Sequence, residues 1–527
     1  MRKLSIGIQS FEDLRKNDYI YVDKTQYIYD LVSRNKVYFL SRPRRFGKSL
    51  FLSTIEAYFE GKKELFNGLS IEKVENESQT PWEPYPVFNL SFATGNYTNA
   101  DELNKKLLTF LRTYEEKYNL PARENDILGD RFVNLMKEVS EQTGKNVVIL
   151  IDEYDKPLID NMSVNNELEE INRRILKGFY CALKDGDKYI KFAFVTGVTK
   201  FNKVSLFSDV NQLKDISLNP RYAEICGITE EEMIHAYGKE ITEMADSMDI
   251  GVNECVGELR QYYDGYHFSK EGKGVYNPFS LINALSDGEL DNFWFSTGTP
   301  TFLINSIKKS GINIEMFEDG VTASEDDMTN YRAESPNVIP LFYQTGYLTI
   351  SGYDKLVKEY KLSFPNDEVK YGFYSSLVPT LSPDYSYDLG KFSIGSMLEF
   401  LDDGAVDKFM NMIKALLASI PYWEGTTPAN EQEWRNLVYV IFALLGQYVS
   451  AEVHSSKGRS DFIVENEKYV YIFEFKKDLS AKEALEQIET KGYAVPYESS
   501  GKKIIKIGAN FSTDDKTLSE WVTEGIV

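Results

Sequence analysis

The hydrophobic positions between residues 36 and 218 fall into continuous runs that alternate with amphipathic stretches. Four of these runs, KVYFL, PVFNLSF, VVILI and KFAFVT, are apolar over most of their length. A strand has such an unbroken apolar run when both faces of its sheet are covered, as in parallel sheets. The alternation of these strands with helical segments predicts an α/β domain with a parallel sheet and helices on both faces.

A different pattern occupies GRSDFIVENEKYVYIFEFKK, residues 458 to 477. Two runs rich in β-branched and aromatic residues, DFIV and YVYIFEF, flank the polar stretch ENEK, which is the pattern of a β-hairpin. If residues 465 to 468 form the turn, Val464 pairs with Tyr469. One face of this hairpin is then purely apolar, made of Phe462, Val464, Tyr471, Phe473 and Phe475.

The other face of the predicted hairpin carries charge. Asp461 falls opposite Ile472 and diagonal to Glu474, at the roughly 7–8 Å typical of such neighbours. Lys476 shares that face, because side chains alternate along a strand. Two carboxylates this close repel unless a proton or a cation lies between them, and Mg²⁺ or Mn²⁺ prefers such oxygen ligands. The alternative is a solvated face with one Glu–Lys pair, which adds little stability.

The full length of 527 residues is too great for a single core and indicates several domains. We expect the first α/β domain to cover residues 1–218 and a mostly helical lid to cover 219–300. Residues 301–395 mix short strands and turns, and fit a small winged-helix-like connector. Residues 396–527 contain the hairpin and form the predicted C-terminal α/β domain.

Composition excludes several classes of protein. The 42% hydrophobic and 14% aromatic content is typical of folded domains. Three cysteines, Cys181, Cys226 and Cys255, have neither disulfide nor zinc spacing, and the start of the chain lacks a signal-peptide pattern, so a cytoplasmic location is expected. The longest apolar run, LVYVIFALLG, is far shorter than the roughly 20 residues that cross a bilayer, so no membrane partner is expected.

The net charge of −22 bears on nucleic-acid binding. Neutralisation of phosphates supplies most of the affinity of proteins for nucleic acids, so their binding surfaces are usually basic. The charge therefore counts against avid, indiscriminate binding of DNA. It leaves room for a locally basic groove that engages nucleic acid briefly or conditionally.

The stretch KVYFLSRPRRFGKSLFLSTIEAYFEG runs from a strand through a turn into a helix. Within it, Gly47, Lys48 and Ser49 match the end of a P-loop, in which backbone N–H groups and the lysine bind phosphates and the serine hydroxyl binds Mg²⁺. The first glycine of the pattern is absent, because Arg42 occupies its place. The loop arginines fit contacts with phosphate or nucleic acid, and the alternative is that they are solvated.

A second strand ends in acids. KNVVILIDEYDKP places Asp152 and Glu153 after an apolar run, as required of an acid near Mg²⁺ and an acid that polarises the attacking water. The next strand, KFAFVTGVTKF, ends in Thr196 and Thr199, which are expected to lie beside these acids as polar sensors or as ordinary strand-end residues. Arg221 and Arg260 are weaker candidates for an arginine finger.

The C-terminal pattern resembles the active-site core of the PD-(D/E)XK nuclease superfamily, through Gly458, Arg459, Asp461, Glu474 and Lys476. The segment ALEQIETKGYAVPY resembles the helix that follows this core, and it contributes Gln487 and Tyr493. EQEWRNLVYVIFALLG resembles the first helix, with Glu431 as a further acid and Glu433 as the fallback. The resemblance implies that Asp461 and Glu474 bind a divalent metal and that Lys476 activates the attacking water or steadies the transition state.

The N-terminal half resembles the bacterial AAA-ATPase-like family over residues 4 to 285. The matching stretches are IGIQSFEDLRKNDYIYVDKTQYIYDLV, SRPRRFGKSL, LIDEYDKPL, FVTGVTKF, RYAEICGIT and YYDGYHFS. The incomplete P-loop is a habit of that family, and its members commonly carry a C-terminal PD-(D/E)XK domain. The resemblance implies an ATP and Mg²⁺ site formed by Arg42, Arg45, Phe46, Gly47, Lys48, Ser49, Leu50, Asp152 and Thr196, with Glu153 as the catalytic acid.

Three functions remain open from the sequence. The first is an ATPase coupled to a metal-dependent nuclease, acting on DNA rather than RNA. The second is an ATP-driven signalling or defence switch whose nuclease-like domain binds without cutting. The third is a binding module that retains both motifs as scaffold, and the intact catalytic charges argue against it. A homo-oligomer is compatible with each.

Overall fold

The computed structural model describes residues 3–78, 82–162, 165–200, 210–296, 303, 307, 313–329, 337–381, 393–418, 429–447, 450–455, 460–515 and 517–526. The chain divides into two compact units. The first comprises residues 1–306 and 317–369, and the second comprises 307–316 and 370–527. This division is coarser than the four-part organisation expected from the sequence, which stays a prediction.

The first unit is built on a five-stranded sheet in the order β2-β3-β4-β1-β5. All neighbouring strands are parallel. The four predicted apolar runs form β1 to β4, and β3 is buried along its entire length, whereas the short β5 was not predicted. The strands are β1 (Val37–Ser41), β2 (Val87–Ser91), β3 (Val147–Asp152), β4 (Ile190–Gly197) and β5 (Leu213–Asp215).

Helices surround this sheet and form most of the region that follows it. The P-loop helix, Lys48–Phe59, directly follows the loop after β1. Each of its turns has at least one buried apolar side chain. The helix Glu230–Ser247 begins with a capping box made by Thr229 and Glu232. The other helices of residues 1–296 are Phe11–Lys16, Gln26–Arg34, Ser70–Ser78, Ala100–Lys117, Leu128–Thr143, Lys156–Ile159, Asn166–Tyr180, Ala182–Asp185, Val252–Tyr263, Pro278–Asp287 and Phe293–Ser296.

A small module follows the helical region. Its three antiparallel strands are β6 (Val321–Ala323), β7 (Thr349–Asp354) and β8 (Glu359–Ser363), in the order β6-β8-β7. Two helices, Glu325–Thr329 and Ile339–Thr345, lie between β6 and β7, and the short helix Met316–Asp319 precedes β6. This order fits the winged-helix-like connector expected here, an identity that remains a prediction.

The helix Ile339–Thr345 of this module packs on the carboxyl edge of the large sheet. The side-chain oxygen of Gln344 accepts a hydrogen bond of 2.7 Å from the backbone N–H of Lys200, just beyond β4. Gly346 has φ +92°, and a Cβ on it would lie 2.7 Å from the Cβ of Pro43 in the P-loop. One helix thus contacts both the P-loop and the end of β4.

A buried carboxyl group lies at the start of the helix Asp367–Leu381. Glu368 is fully buried and accepts hydrogen bonds from the backbone N–H of Trp294 at 2.6 Å and the hydroxyl of Ser280 at 3.0 Å. Its second oxygen has no hydrogen-bond partner in the described parts of the chain. Burial raises the pKa of Glu368 from 4.5 to about 8. The fold therefore favours the protonated carboxyl.

This burial makes stability depend on pH. Because the pKa of Glu368 is raised on folding, its contribution is fully present below pH 4.5 and is lost as the pH rises through about 8. We expect the free energy of unfolding of the wild type to fall, relative to that of Glu368→Gln, by on the order of 5 kcal/mol across this range. Urea denaturation of both proteins from pH 4.5 to 9 measures this. Parallel curves would contradict it, and Glu271→Gln, at an exposed position, is the control.

The second unit is built on a five-stranded mixed sheet in the order β13-β12-β11-β10-β9. The helix Ala481–Lys491 connects β11 to β12, which is the parallel pair, and the remaining pairs are antiparallel. The strands are β9 (Ser450–Ser455), β10 (Ser460–Glu465), β11 (Tyr469–Lys477), β12 (Lys503–Ser512) and β13 (Thr517–Ile526). The other helices are Ile394–Asp402, Val406–Ala418 and Ala429–Leu445.

The predicted hairpin forms as β10 and β11, with a register two residues from the expected one. Val464 pairs with Tyr471 rather than Tyr469, and Asp461 pairs directly with Glu474 rather than lying diagonal to it. The turn lies one residue further along the chain, at residues 466–469, where the side chain of Asn466 accepts hydrogen bonds from the backbone N–H groups of Lys468 and Tyr469. A shift of two residues keeps every position on its predicted face, because the side-chain period of a strand is two.

The apolar face of the hairpin packs against helices, as its composition requires. Phe442, from the helix Ala429–Leu445, stacks on Phe462 at a ring distance of 4.2 Å and contacts Phe473 at 4.9 Å. Phe409, from the helix Val406–Ala418, contacts Phe473 at 5.5 Å. The charged positions of the hairpin therefore lie on the face away from these helices. Every helix among the described residues is too short or too polar to cross a bilayer.

Candidate functional site

A cavity of about 420 Å³ opens beside the P-loop of the first unit. Its walls come from the N-terminal segment 5–24, from the loop and first helical turn 44–51, and from Glu153 and Lys156 after β3. Residues of the region that follows the sheet complete the lining, among them Ile228, Tyr237 and Ile282. Small-molecule sites occupy about 300–1,000 Å³, so this volume suits a nucleotide.

Lys48 lies at the base of this cavity. Its ammonium is buried and donates hydrogen bonds of 2.9 Å to the backbone carbonyls of Arg42 and Pro43. Burial lowers the pKa of Lys48, and the nearby carboxylates of Asp152 and Glu153 oppose that shift. Gly47, with φ +90°, turns the chain into the helix so that the lysine starts its first turn. The lysine is thus held where phosphate would meet the helix N-terminus.

Asp152 is the centre of a hydroxyl–carboxylate cluster. The hydroxyl of Ser49 donates to one oxygen of Asp152 at 2.6 Å, and the hydroxyl of Thr196 donates to the other at 2.6 Å. β4 lies between β1 and β3, which brings Thr196 beside Asp152 as expected. The oxygens of Ser49 and Asp152 are the hard donors that Mg²⁺ binds, so these residues fit such an ion.

Glu153 lines the cavity next to this cluster. Its backbone has φ +52°, a conformation that is uncommon for glutamate and turns the chain away from β3. Burial and the adjacent Asp152 raise the pKa of Glu153, while Lys48 and Arg44 lower it. A carboxyl group with a raised pKa beside a phosphate site is suited to accept a proton from water.

Arg42 does not contact the cavity, which corrects its assignment to the nucleotide. Its side chain is 1% exposed and donates to the carbonyls of Ser41 at 2.8 Å, Ser217 at 2.9 Å and Tyr222 at 2.9 Å. Its guanidinium also lies 4.1 Å from the ring centre of Phe268. Arg42 therefore fixes the loop to the neighbouring backbone.

The other loop residues surround the cavity as expected. Arg45, Phe46, Gly47, Ser49 and Leu50 all contribute to its lining. Arg45 has φ +70° and places its guanidinium 4.8 Å from the ring centre of Phe279. Phe46 is buried, and packs its ring edge-on against Tyr266 at 4.7 Å.

Asp155 is a site residue that sequence reasoning missed. Its buried carboxylate accepts hydrogen bonds from the backbone N–H of Val198 at 3.0 Å and the hydroxyl of Thr199 at 2.7 Å. Thr199, expected to sense the phosphate, is therefore held by Asp155 instead. The third acid of the DEYD stretch was the available signal. Asp155 fixes the end of β4, where Thr196 contacts Asp152.

Part of the cavity lining is apolar. Ile8, Ile20, Val22, Ile228 and Ile282 line it. Such a surface suits the planar base of a nucleotide. In the YVDKT stretch, Lys24 lines the same cavity and forms an ion pair of 2.6 Å with Glu232 of the helix Glu230–Ser247. This stretch therefore joins the N-terminal segment to the helical region.

The second unit brings its own charged residues together on the hairpin. Glu474 is 0% exposed, and its carboxylate accepts a hydrogen bond of 2.6 Å from the ammonium of Lys476. The same ammonium donates to the side-chain oxygen of Gln487, from the helix Ala481–Lys491. Three sequence-predicted residues are thus in contact. A carboxylate can persist at this depth because the ammonium lies beside it.

For the remaining acids of this site, the structure describes only the position of the backbone. Asp461 lies in β10 directly opposite Glu474, Glu431 lies in the first turn of the helix Ala429–Leu445, and Glu433 begins its second turn. Their side chains, and all of Gly458 and Arg459, lie outside the described residues. Among the side chains that are described, no group of three metal-ligating residues occurs. A buried carboxylate paired in register with a second acid fits a hard divalent cation.

Comparisons with known proteins agree with this architecture. Residues 5–207 match the family model described as a predicted AAA-ATPase. Residues 429–521 match the model of the PD-(D/E)XK nuclease superfamily. A protein of Azotobacter chroococcum, named as an uncharacterized protein in the vnfD 5′ region, is 34% identical over 533 residues, covering 100% of this chain and 99% of its own.

Two solved structures of Aeropyrum pernix show weaker likeness. The ORC1 protein in complex with DNA has a TM-score of 0.22 and 9% identity, covering 67% of this chain and 91% of its own. The ORC2 protein has a TM-score of 0.18 and 12% identity, covering 65% and 88%. The sheet topologies and the two family models instead confirm the fold class: an N-terminal P-loop NTPase and a C-terminal restriction-endonuclease-like domain. The chain belongs to the AAA-ATPase-like family, with a PD-(D/E)XK nuclease superfamily domain at its C-terminus.

Proposed function

We propose that this protein is an ATPase whose nucleotide site controls metal-dependent hydrolysis of phosphodiester bonds by the C-terminal domain. The observation that carries the proposal is the pairing of Asp461 with Glu474 on a hairpin where Lys476 contacts both Glu474 and Gln487. Burial of an ionised acid destabilises the fold unless a neighbouring charge or a bound cation compensates it. Here the groups beside the acid are those that metal-dependent hydrolysis requires.

The N-terminal site supports binding of ATP with Mg²⁺. Lys48 and the N-terminus of the P-loop helix face the phosphates, and Ser49 and Asp152 hold the ion. Mg²⁺ held by Ser49 and Asp152 would supply positive charge that neutralises the phosphates. Glu153 accepts the proton of the attacking water, and Thr196 fixes the carboxylate of Asp152 in place.

The C-terminal site supports hydrolysis with Mg²⁺ or Mn²⁺ held by Asp461 and Glu474. An ion held there would polarise the phosphate and make water a better nucleophile. Lys476 steadies the charged transition state, Gln487 orients the lysine through its side-chain oxygen, and Glu431 supplies a further acid. DNA is the preferred substrate over RNA. The net charge of −22 limits binding to a brief or nucleotide-controlled contact.

Cleavage assays test the proposal directly. Supercoiled plasmid, linear duplex DNA and single-stranded RNA are incubated with Mg²⁺ or Mn²⁺, with and without ATP. We expect the wild type to nick DNA in a metal- and ATP-dependent way, and Asp461→Asn to leave only background. Glu486→Gln is the matched control, because Glu486 is a 65% exposed acid on the helix that carries Gln487.

Two results would contradict the nuclease. The first is cleavage that persists in Asp461→Asn, which would come from a contaminant. The second is absence of cleavage by the wild type with every metal and substrate. If light scattering then shows a change of oligomer size on addition of ATP, the switch function is favoured instead.

A further inference from the structure

The three arginines of the P-loop have different environments. Arg42 is buried against backbone carbonyls, and Arg45 stacks on Phe279. Arg44 is exposed and lines the nucleotide cavity. Within the part of the chain that the structure describes, its guanidinium makes no hydrogen bond or ion pair. Arg45 is also exposed and lines the cavity, but its guanidinium faces Phe279, so Arg44 is the loop arginine whose guanidinium has no contact of this kind among the described residues.

Arg44 lies within electrostatic range of Glu153, and both residues line the same cavity. Its positive charge acts on Glu153 and opposes the rise of that residue's pKa, whereas Arg45 is directed to Phe279. Glu153 follows Asp152 directly, and Asp152 contacts Ser49. The end of the cavity near Glu153 is therefore where the terminal phosphate of a nucleotide would lie.

Other cations that could serve as a finger are engaged elsewhere. Arg221 forms an ion pair of 3.2 Å with Asp30, and Arg260 forms one of 2.7 Å with Glu230. Neither arginine lines the cavity. Lys156 does line it, but its ammonium is paired at 2.8 Å with both oxygens of Asp160.

The backbone of Arg44 is held from outside the loop. The indole N–H of Trp294 donates to the carbonyl of Arg44 at 3.2 Å, and the backbone N–H of Trp294 donates to Glu368 at 2.6 Å. A hydrogen bond to the main chain leaves the guanidinium free while restricting where it can point. Trp294 is therefore a positioning residue for Arg44.

We propose that Arg44 contacts the terminal phosphate of bound ATP and stabilises its transition state from within the same chain. This rests on the proposed ATPase function. Charge on the transferred phosphoryl group grows toward the transition state, and a planar guanidinium can bind two of its oxygens. One chain then hydrolyses ATP without an arginine from a second subunit.

The test compares Arg44→Gln, Arg44→Lys and Arg45→Gln with the wild type. Binding of ADP and of a non-hydrolysable ATP analogue is measured by titration calorimetry, and kcat is measured at saturating MgATP. We expect Arg44→Gln to lower kcat by about 10²–10³-fold and to weaken the analogue about tenfold while ADP binds as before. Arg45→Gln should weaken both nucleotides alike, and Arg44→Lys should recover only part of kcat because the fork geometry is lost.

Arg221→Gln, outside the cavity, is the matched control and should leave kcat unchanged. The proposal is overturned if Arg44→Gln keeps the wild-type kcat, or if wild-type specific activity rises with protein concentration, as expected of a finger from a second chain. If the wild type binds both ADP and the analogue, and Arg44→Gln prefers the analogue over ADP as strongly as the wild type does, the role of Arg44 is refuted while the ATPase function stands. If the wild type binds neither ADP nor the analogue, the proposed ATPase function is refuted as well.

Discussion

Replacing Glu153 with glutamine is expected to lower the kcat of ATP hydrolysis by about a thousandfold and to leave ATP bound, since a positioned general base contributes about 10²–10⁴ in rate. Glutamine keeps the size of the side chain but cannot accept a proton. Lys48, Ser49 and Asp152, which hold the phosphates and the ion, are unaltered. Steady-state hydrolysis and titration with ATP measure the two effects separately.

The pH profile gives an independent check on Glu153. Burial and Asp152 raise the pKa of this carboxyl, and only its ionised form can accept a proton, so kcat of the wild type should rise with pH through that pKa. The rise should vanish in Glu153→Gln. Glu170→Gln serves as control, because Glu170 is a 50% exposed acid paired with Arg174 on a neighbouring helix. Hydrolysis at the wild-type rate in Glu153→Gln would contradict the assignment.

Replacing Lys476 with methionine is expected to abolish cleavage and also to destabilise the second unit. Removal of a cation that participates in proton transfer or charge stabilisation costs about 10²–10⁴ in rate. The loss also leaves the carboxylate of Glu474, which is 0% exposed, without the ammonium at 2.6 Å. Breaking such a buried pair typically costs about 3–5 kcal/mol. Cleavage assays and urea denaturation measure the two effects.

A double variant separates catalysis from stability. Removing both charges, as Glu474→Gln with Lys476→Met, should recover most of the lost free energy of unfolding, because no uncompensated charge remains. Cleavage should stay absent. Lys468→Met, at the exposed turn of the same hairpin, is the control for loss of a lysine. Additive losses of stability in the double variant would show that Lys476 and Glu474 do not depend on each other.

The parts of the fold that could be predicted were those fixed by local periodicity. Continuous apolar runs predicted four of the five strands of the large sheet, and the alternation in DFIV and YVYIFEF predicted the hairpin and its apolar face. The register was off by two residues because it depends on the side chain of Asn466 in the turn. The predicted faces survived, since an even shift preserves them.

The parts of the site that could not be predicted depend on contacts between distant segments. Nothing in RPRRF indicates which arginine is buried, because the carbonyls that hold Arg42 come from residues 217 and 222 as well as from Ser41. The contact of Trp294 with Arg44 spans 250 residues of sequence. Motif residues such as Lys48, Asp152 and Glu474 were identifiable because their chemistry requires a fixed local spacing.

The helix Ile339–Thr345 has a consequence for how this protein could meet nucleic acid. In helix-turn-helix and winged-helix proteins the second helix of the pair enters the major groove. Here six residues of that helix are buried, and Gln344, a side chain able to bond base edges, is bound to the backbone of Lys200. While the helix is packed in this way, it has no surface left for reading a base sequence. Specificity for a DNA sequence cannot come from this helix unless it leaves the ATPase sheet.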